Sequence, residues 1–139
     1  MDWVILAGRI LFFLLFAASA IGHITQREMM SQYAAQKGVP FAGLLVPLTG
    51  VQIGVGALMI LLGIWADLGA ALLVVFLIPT ALSMHAFWKL EEPMERRQDQ
   101  VHFLKDIALA GAGLMLFGLF QQFGAELADL RVNLLPKHE

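Results

Sequence analysis

The sequence predicts an all-α membrane protein, a four-transmembrane-helix bundle with a short interfacial helix between its first and second spans. Three observations carry this reading. Hydrophobic residues make up 59% of the 139-residue chain and charged residues only 14%, where soluble domains carry about 25% charged residues; the mean hydropathy is +0.75. The apolar residues gather into four stretches, each close to the ~20 residues that a helix needs to cross a bilayer. The polar residues fall into two longer connections, one tight turn and the tail, which leaves no length for a soluble catalytic domain.

The first span covers about residues 3–24 and is interrupted by one charge, Arg9. Ala18-Ser19-Ala20 resembles a signal-cleavage site, but Asp2 and the absence of an early Lys or Arg argue for a retained span. After it, Thr25-Gln26-Arg27-Glu28 reads as a capping box. Met29, Met30, Tyr33 and Ala34 then share one helical face until Gly38 and Pro40 end the segment. This is the expected interfacial helix.

The second span, about residues 41–64, has no charge, and Trp65-Ala66-Asp67 turns the chain into the third, about residues 68–88, which contains Pro79. Lys89 to Gln100 is polar and should form a solvated loop or a short surface helix. The fourth span covers about residues 102–123. The whole chain is thus one transmembrane domain.

Four crossings put both termini and the Trp65 turn on one side and both longer connections on the other. The connection side carries Arg27, Lys37, Lys89, Arg96, Arg97 and Lys105, against Arg9, Arg131 and Lys137 on the terminal side. The positive-inside rule therefore places the connections in the cytoplasm and both termini outside. Trp3 and Trp65 mark one interface and Trp88 the other.

Apolar burial does not drive helix association in lipid, so close backbone approach and interhelical hydrogen bonds must. Gly50 with Gly54, Ala18 with Gly22, and the Ala108 to Gly113 stretch supply small residues. Pro47 and Pro79 free backbone carbonyls inside spans, which Thr49, Gln52, Thr80 and Ser83 are placed to satisfy. Gln52, near the midplane, reads as an interhelical hydrogen-bonding group.

The net charge of −2 and the lack of a basic run exclude nucleic acid as a partner. With no cysteine, thiol exchange, thiolate zinc and a cluster held on the chain's own thiolates are excluded as well. The topology brings His23, His85 and His102 toward one side, while His102, Lys105 and Asp106 share a face of span four. Two readings stand side by side. In one, these groups form a polar pocket that binds a headgroup or carries protons to a quinone. In the other they anchor helix ends at the interface, Asp106 pairing with Lys105 or His102. Two histidines on facing helices could also ligate haem, a weaker candidate than quinone because nothing in the sequence fixes their separation. Arg9 is expected to snorkel toward the terminal-side interface, or to pair with an acid such as Asp67.

The sequence resembles the DoxX family of small four-span bacterial membrane proteins. The resemblance covers nearly the whole chain: Arg9-Ile10-Leu11-Phe12 and Gly22-His23; Lys37-Gly38-Val39-Pro40; Leu48-Thr49-Gly50; Phe76-Leu77-Ile78-Pro79; Met84-His85-Ala86-Phe87-Trp88; and His102-Phe103-Leu104-Lys105-Asp106. It implies the bacterial cytoplasmic membrane and a role beside oxidoreductases, since family members are associated with a quinone-reducing thiosulfate oxidase and with a complex acting in oxidative and thiol stress. It also implies the site candidates Arg9, His23, His85, Trp88, His102, Lys105 and Asp106 at the matching positions.

The leading expectation is a DoxX-like subunit of a redox system, quinone-linked, working with membrane or redox partner proteins. The alternatives are a non-catalytic assembly or anchoring subunit, whose small-residue faces at Gly50 and Gly54 hold partners, and a homo-oligomeric carrier of a small solute.

Overall fold

The computed structural model describes residues 2–128. Arg131 and Lys137, counted above toward the terminal side, lie outside the described residues. Five helices follow one another: α1 (Asp2–Thr25), α2 (Arg27–Gln36), α3 (Ala42–Leu62), α4 (Ala66–Met84) and α5 (Pro93–Ala128), with a 3-10 turn at Phe87–Lys89. Four of them, all but α2, are long and apolar enough to cross a membrane. Their outer faces carry exposed Leu11, Leu14, Val51, Val75, Leu82 and Met115, the surface a lipid-facing bundle needs.

The long helices pack in series: α1 on α3, α3 on α4, α4 on α5. The two ends of the series, α1 and α5, are not closely packed on each other. Large side chains fill the middle instead, with Phe12, Phe13 and Phe16 of α1 and Leu116 and Phe120 of α5 in one apolar core with Ile53, Ile60 and Leu73. The start of α1, the end of α3, the start of α4 and the end of α5 define a terminal face, where Trp3 and Trp65 are exposed. The opposite connection face holds α2 and Trp88.

The α3–α4 hairpin brings two backbones into close approach. Leu62 ends α3 because Gly63 takes a left-handed conformation (φ 71°), and the Gly63 and Ile64 amides donate to the carbonyls of Ile60 and Met59. This is a Schellman stop. Above it the backbones approach through two glycines: a Cβ on Gly69 would lie 2.6 Å from the Gly56 carbonyl oxygen, and one on Gly56 would lie 2.9 Å from that of Gly69. Gln52 Nε2 donates to the Leu72 carbonyl at 2.9 Å and ties the same two helices, the interhelical role expected of it. Replacing Gln52 by Leu should lower the unfolding free energy in detergent by about 1 kcal/mol, measured by thermal unfolding.

Several local expectations are corrected. No capping box forms, because the Thr25 hydroxyl donates to the Ile21 carbonyl of its own helix and Gln26 caps α2 without a side-chain bond. On α2, Met30 and Ala34 face the bundle while Met29 and Tyr33 are exposed. Helix α4 stops at Met84 rather than near Trp88. The amide of His85 still donates to Ala81, but the chain then leaves the helix and closes the 3-10 turn. The polar stretch after Lys89 is mostly helical, because Pro93 sits at the first position of α5 and Glu92 accepts the Glu95 amide as a cap. The hydroxyls of Thr49 and Ser83 bond carbonyls one turn earlier, those of Leu45, Val46 and Pro79.

Candidate functional site

The polar extension of α5 places Asp99 one turn before His102 and two turns before Asp106, so the three share a face. That face meets the end of α4 and the connection after α2. Asp99 and Asp106 are 7% and 5% exposed, which marks both as carboxylates taken out of solvent. Buried carboxylates require partners, and the chain supplies them from three elements. Lys37 Nζ donates to Asp99 Oδ2 at 2.8 Å and lies over the Tyr33 ring. His85 stands between the two acids, Nδ1 3.5 Å from Asp99 Oδ1 and Nε2 3.7 Å from Asp106 Oδ2. Lys105 Nζ is 3.5 Å from Asp106 Oδ1. The His102 ring stacks on His85, centroids 5.1 Å apart and planes at 27°.

The early stop of α4 makes this possible. His85 is the first residue past the helix, with φ −121° and ψ 41°, and it enters the cluster from the end of α4. Next to it, Phe87, Trp88 and Phe103 form an edge-to-face trio with centroids 5.3–5.6 Å apart, Trp88 being exposed.

The structure thus brings together His85, His102, Lys105 and Asp106, with Trp88 beside them, and leaves two candidates elsewhere. His23 is engaged at a different depth: its Nδ1 is 2.7 Å from the Ser19 carbonyl, its ring meets Phe76 edge-on, and its Cβ lies against Gly50. Phe76 precedes the end of α4 by eight residues, on the order of 12 Å of helix rise. Arg9 lies at the terminal face. It is 5% exposed and does not snorkel: Nε donates to the Ile60 carbonyl at 2.8 Å and Nη1 to that of Leu127 at 3.1 Å. Asp67, the expected partner, accepts instead from Gln121 and the Leu68 amide. Asp99 and Lys37 were not among the expected site residues; the seven-residue spacing of Asp99 from Asp106 was the available signal.

The stacked rings of His85 and His102 cannot approach one iron from opposite sides, and both nitrogens of His85 face carboxylates. The pair therefore does not fit axial haem ligation.

A family model, DoxX, matches residues 4–86, more than half of the chain. The chain belongs to the DoxX family. No curated protein and no solved structure matches it. The DoxX match runs from α1 through His85 and stops before α5, so Asp99, His102 and Asp106 lie beyond it. Membership in DoxX and the four apolar helices together make this a multi-pass membrane protein.

In this DoxX chain the Lys37 ammonium is held above its ordinary value of 10.5, chiefly by its hydrogen bond to Asp99, against the opposing effect of burial. A cation whose folded value is raised stabilises fully below its unfolded value, and that contribution is lost as pH rises through the folded value. Thermal unfolding in detergent should therefore show the contribution of Lys37, about 1 kcal/mol for a partly exposed pair, at pH 8 and lose it progressively as the pH rises past 10.5 and through the raised folded value. Lys37→Met should remove that part of the pH dependence.

Proposed function

We propose that this DoxX-family chain is a subunit of the bacterial cytoplasmic membrane, its long connections inside, that serves a redox system and exchanges protons with a quinone at the His85 cluster. The observation that carries the reading is the setting of His85, whose two ring nitrogens each face a buried carboxylate. Imidazole titrates near neutral pH and can take a proton at one nitrogen while releasing one from the other. Between Asp99 and Asp106 it can pass a proton along α5 with no backbone movement. Lys37 and Lys105 pair with the flanking carboxylates, at 2.8 Å from Asp99 and 3.5 Å from Asp106.

A quinone, when bound, supplies two-electron, two-proton acceptor chemistry. The residues that would hold it are Trp88 and Phe103, an aromatic wall open to lipid beside His102. His102, stacked on His85, would orient toward the bound ring and relay through its neighbour. The chain's own work is to bind, to orient and to deliver protons from the connection face. Electrons come from a partner.

The test is organic extraction of the protein purified in mild detergent, with a reduced-minus-oxidised spectrum of the same sample. Stoichiometric quinone that is lost in Trp88→Ala supports the reading; an empty extract and no redox partner in the purified sample sink it.

One observation favours a second reading, that of an assembly subunit. Gly50 and Gly54, expected to hold partners, pack inside the chain against His23 and Ala20. Gly111 and Gly118, seven residues apart on α5, have nothing within 4 Å of an added Cβ. A partner helix seated there would make Gly111→Leu with Gly118→Leu lose the copurifying protein while the His85 cluster stays intact. Unchanged copurification by size-exclusion chromatography would dismiss this reading.

A further inference from the structure

The terminal face carries a separate polar feature that the proton cluster does not use. Among the described residues, Nη2 of Arg9 is the sole buried side-chain donor or acceptor without a hydrogen-bond partner. A guanidinium has five N–H donors and keeps its charge at any working pH. Around Arg9 the acceptors are two backbone carbonyls, Ile60 near the end of α3 and Leu127 near the end of α5. The negative ends of two helix dipoles compensate part of the charge. No described carboxylate completes the compensation, since both oxygens of Asp67 are engaged with Gln121 and Leu68.

Stability does not account for this arrangement. A buried cation without an anion is costly, and replacing such a group by an apolar one of similar size is often neutral or stabilising. The Ile60 carbonyl would keep a partner without Arg9, because it also accepts the Gly63 amide. A guanidinium held in the interior with one donor unmet among the described residues is poised for a ligand.

The surroundings give it a way in. Arg9 sits between α1 and α5, two helices that are not closely packed on each other. Helix α5 is kinked at Phe123 (φ −125°, ψ 22°), and the turn beyond the kink meets Arg9 through the Nη1 bond to the Leu127 carbonyl. If that turn moves aside, Nη1 and Nη2 together present the parallel pair of donors that matches two oxygens of a carboxylate or phosphate.

We propose that Arg9 anchors an oxyanion site at the terminal face, between α1 and α5, capped by the last turn of α5 and taking a phosphate- or carboxylate-bearing ligand. The same chemistry is offered by an anionic lipid headgroup entering sideways and by a free anion entering from solvent.

The experiment uses the full chain in neutral detergent, with thermal unfolding followed by tryptophan fluorescence. The probes are inorganic phosphate and phosphatidylglycerol, with phosphatidylcholine and ionic-strength-matched chloride as controls. An anionic probe should raise the midpoint of the wild type by about 5 °C or more at saturation. Arg9→Met should unfold at or above the wild-type midpoint without a probe and show no rise with one. A rise with phosphatidylglycerol alone assigns the site to lipid, and a rise with both assigns it to a free oxyanion. No rise in the wild type, or an equal rise in Arg9→Met, overturns the proposal. If Arg9→Met does not fold, ¹⁵N-arginine spectra of the wild type decide: the buried Nε signal should shift on adding the probe, and an unmoved signal overturns the site.

Discussion

Gly69→Leu is expected to yield no folded bundle: in mild detergent the variant should elute from size-exclusion chromatography as aggregate, or be missing from the membrane fraction. The block is steric. The first carbon of any side chain at Gly69 would lie 2.6 Å from the Gly56 carbonyl oxygen and 2.9 Å from the Met59 Cβ. Neither can swing away, since one is backbone and the other is fixed to it. Separating α3 from α4 would then break the Gln52 to Leu72 bond and loosen a core in which Ile60 and Leu73 are fully buried. In lipid no hydrophobic gain opposes that separation, because helix association rests on close packing. Gly69→Ala should fold with a loss of about 2–3 kcal/mol, the upper range for overpacking. Gly8→Ala is the control: nothing lies within 4 Å of its added Cβ, so it should be neutral or stabilising by about 0.5–1 kcal/mol. A folded Gly69→Leu with wild-type midpoint would show that the two helices do not meet there.

The contrast between these glycines shows what the sequence could reveal. Four apolar stretches of spanning length admit only helices in a bilayer, so the number and order of spans were legible from composition alone. Spacing also gave the surface shared by His102, Lys105 and Asp106. Small residues, however, announce close approach without saying to what. Gly50 and Gly54 have the familiar spacing and pack inside the chain against side chains, and the closest backbone-to-glycine approach falls to Gly56 and Gly69, which lie on different helices and form no motif. The end of α4 was illegible for a related reason. Phe87 and Trp88 continue an apolar run, and only the packing of the 3-10 turn on α5 decides that the helix stops before His85. Asp99 was overlooked because it lies in a stretch that reads as solvated, although helix α5 carries it into the bundle. Arg9 is the converse case: a charge near an interface reads as snorkelling, and its burial depends on carbonyls that the ends of α3 and α5 bring within its reach.

His85→Phe should reduce quinone-linked electron delivery in membranes carrying the chain by about 10²–10⁴-fold, the range for losing a positioned proton donor, with the protein still present at normal level. Phenylalanine keeps the stacking surface against His102 and removes both nitrogens, so the change is in proton transfer and not in packing. The acids give the sharper test. Asp106→Asn leaves His85 a neighbour of the same shape that cannot take a proton, and Asp99→Asn does the same on the other side while weakening the Lys37 bond. If protons pass through the imidazole, His85→Phe combined with Asp106→Asn should be no worse than His85→Phe alone, because residues that act as a unit are not additive. Additive losses would mean that Asp106 and His85 act separately, and the cluster would then be an interfacial anchor that holds α4 to α5. Wild-type delivery in His85→Phe would lead to the same conclusion. A rate that is lost in all three variants but restored by imidazole added to His85→Gly would place the missing proton carrier at the one position that both carboxylates face.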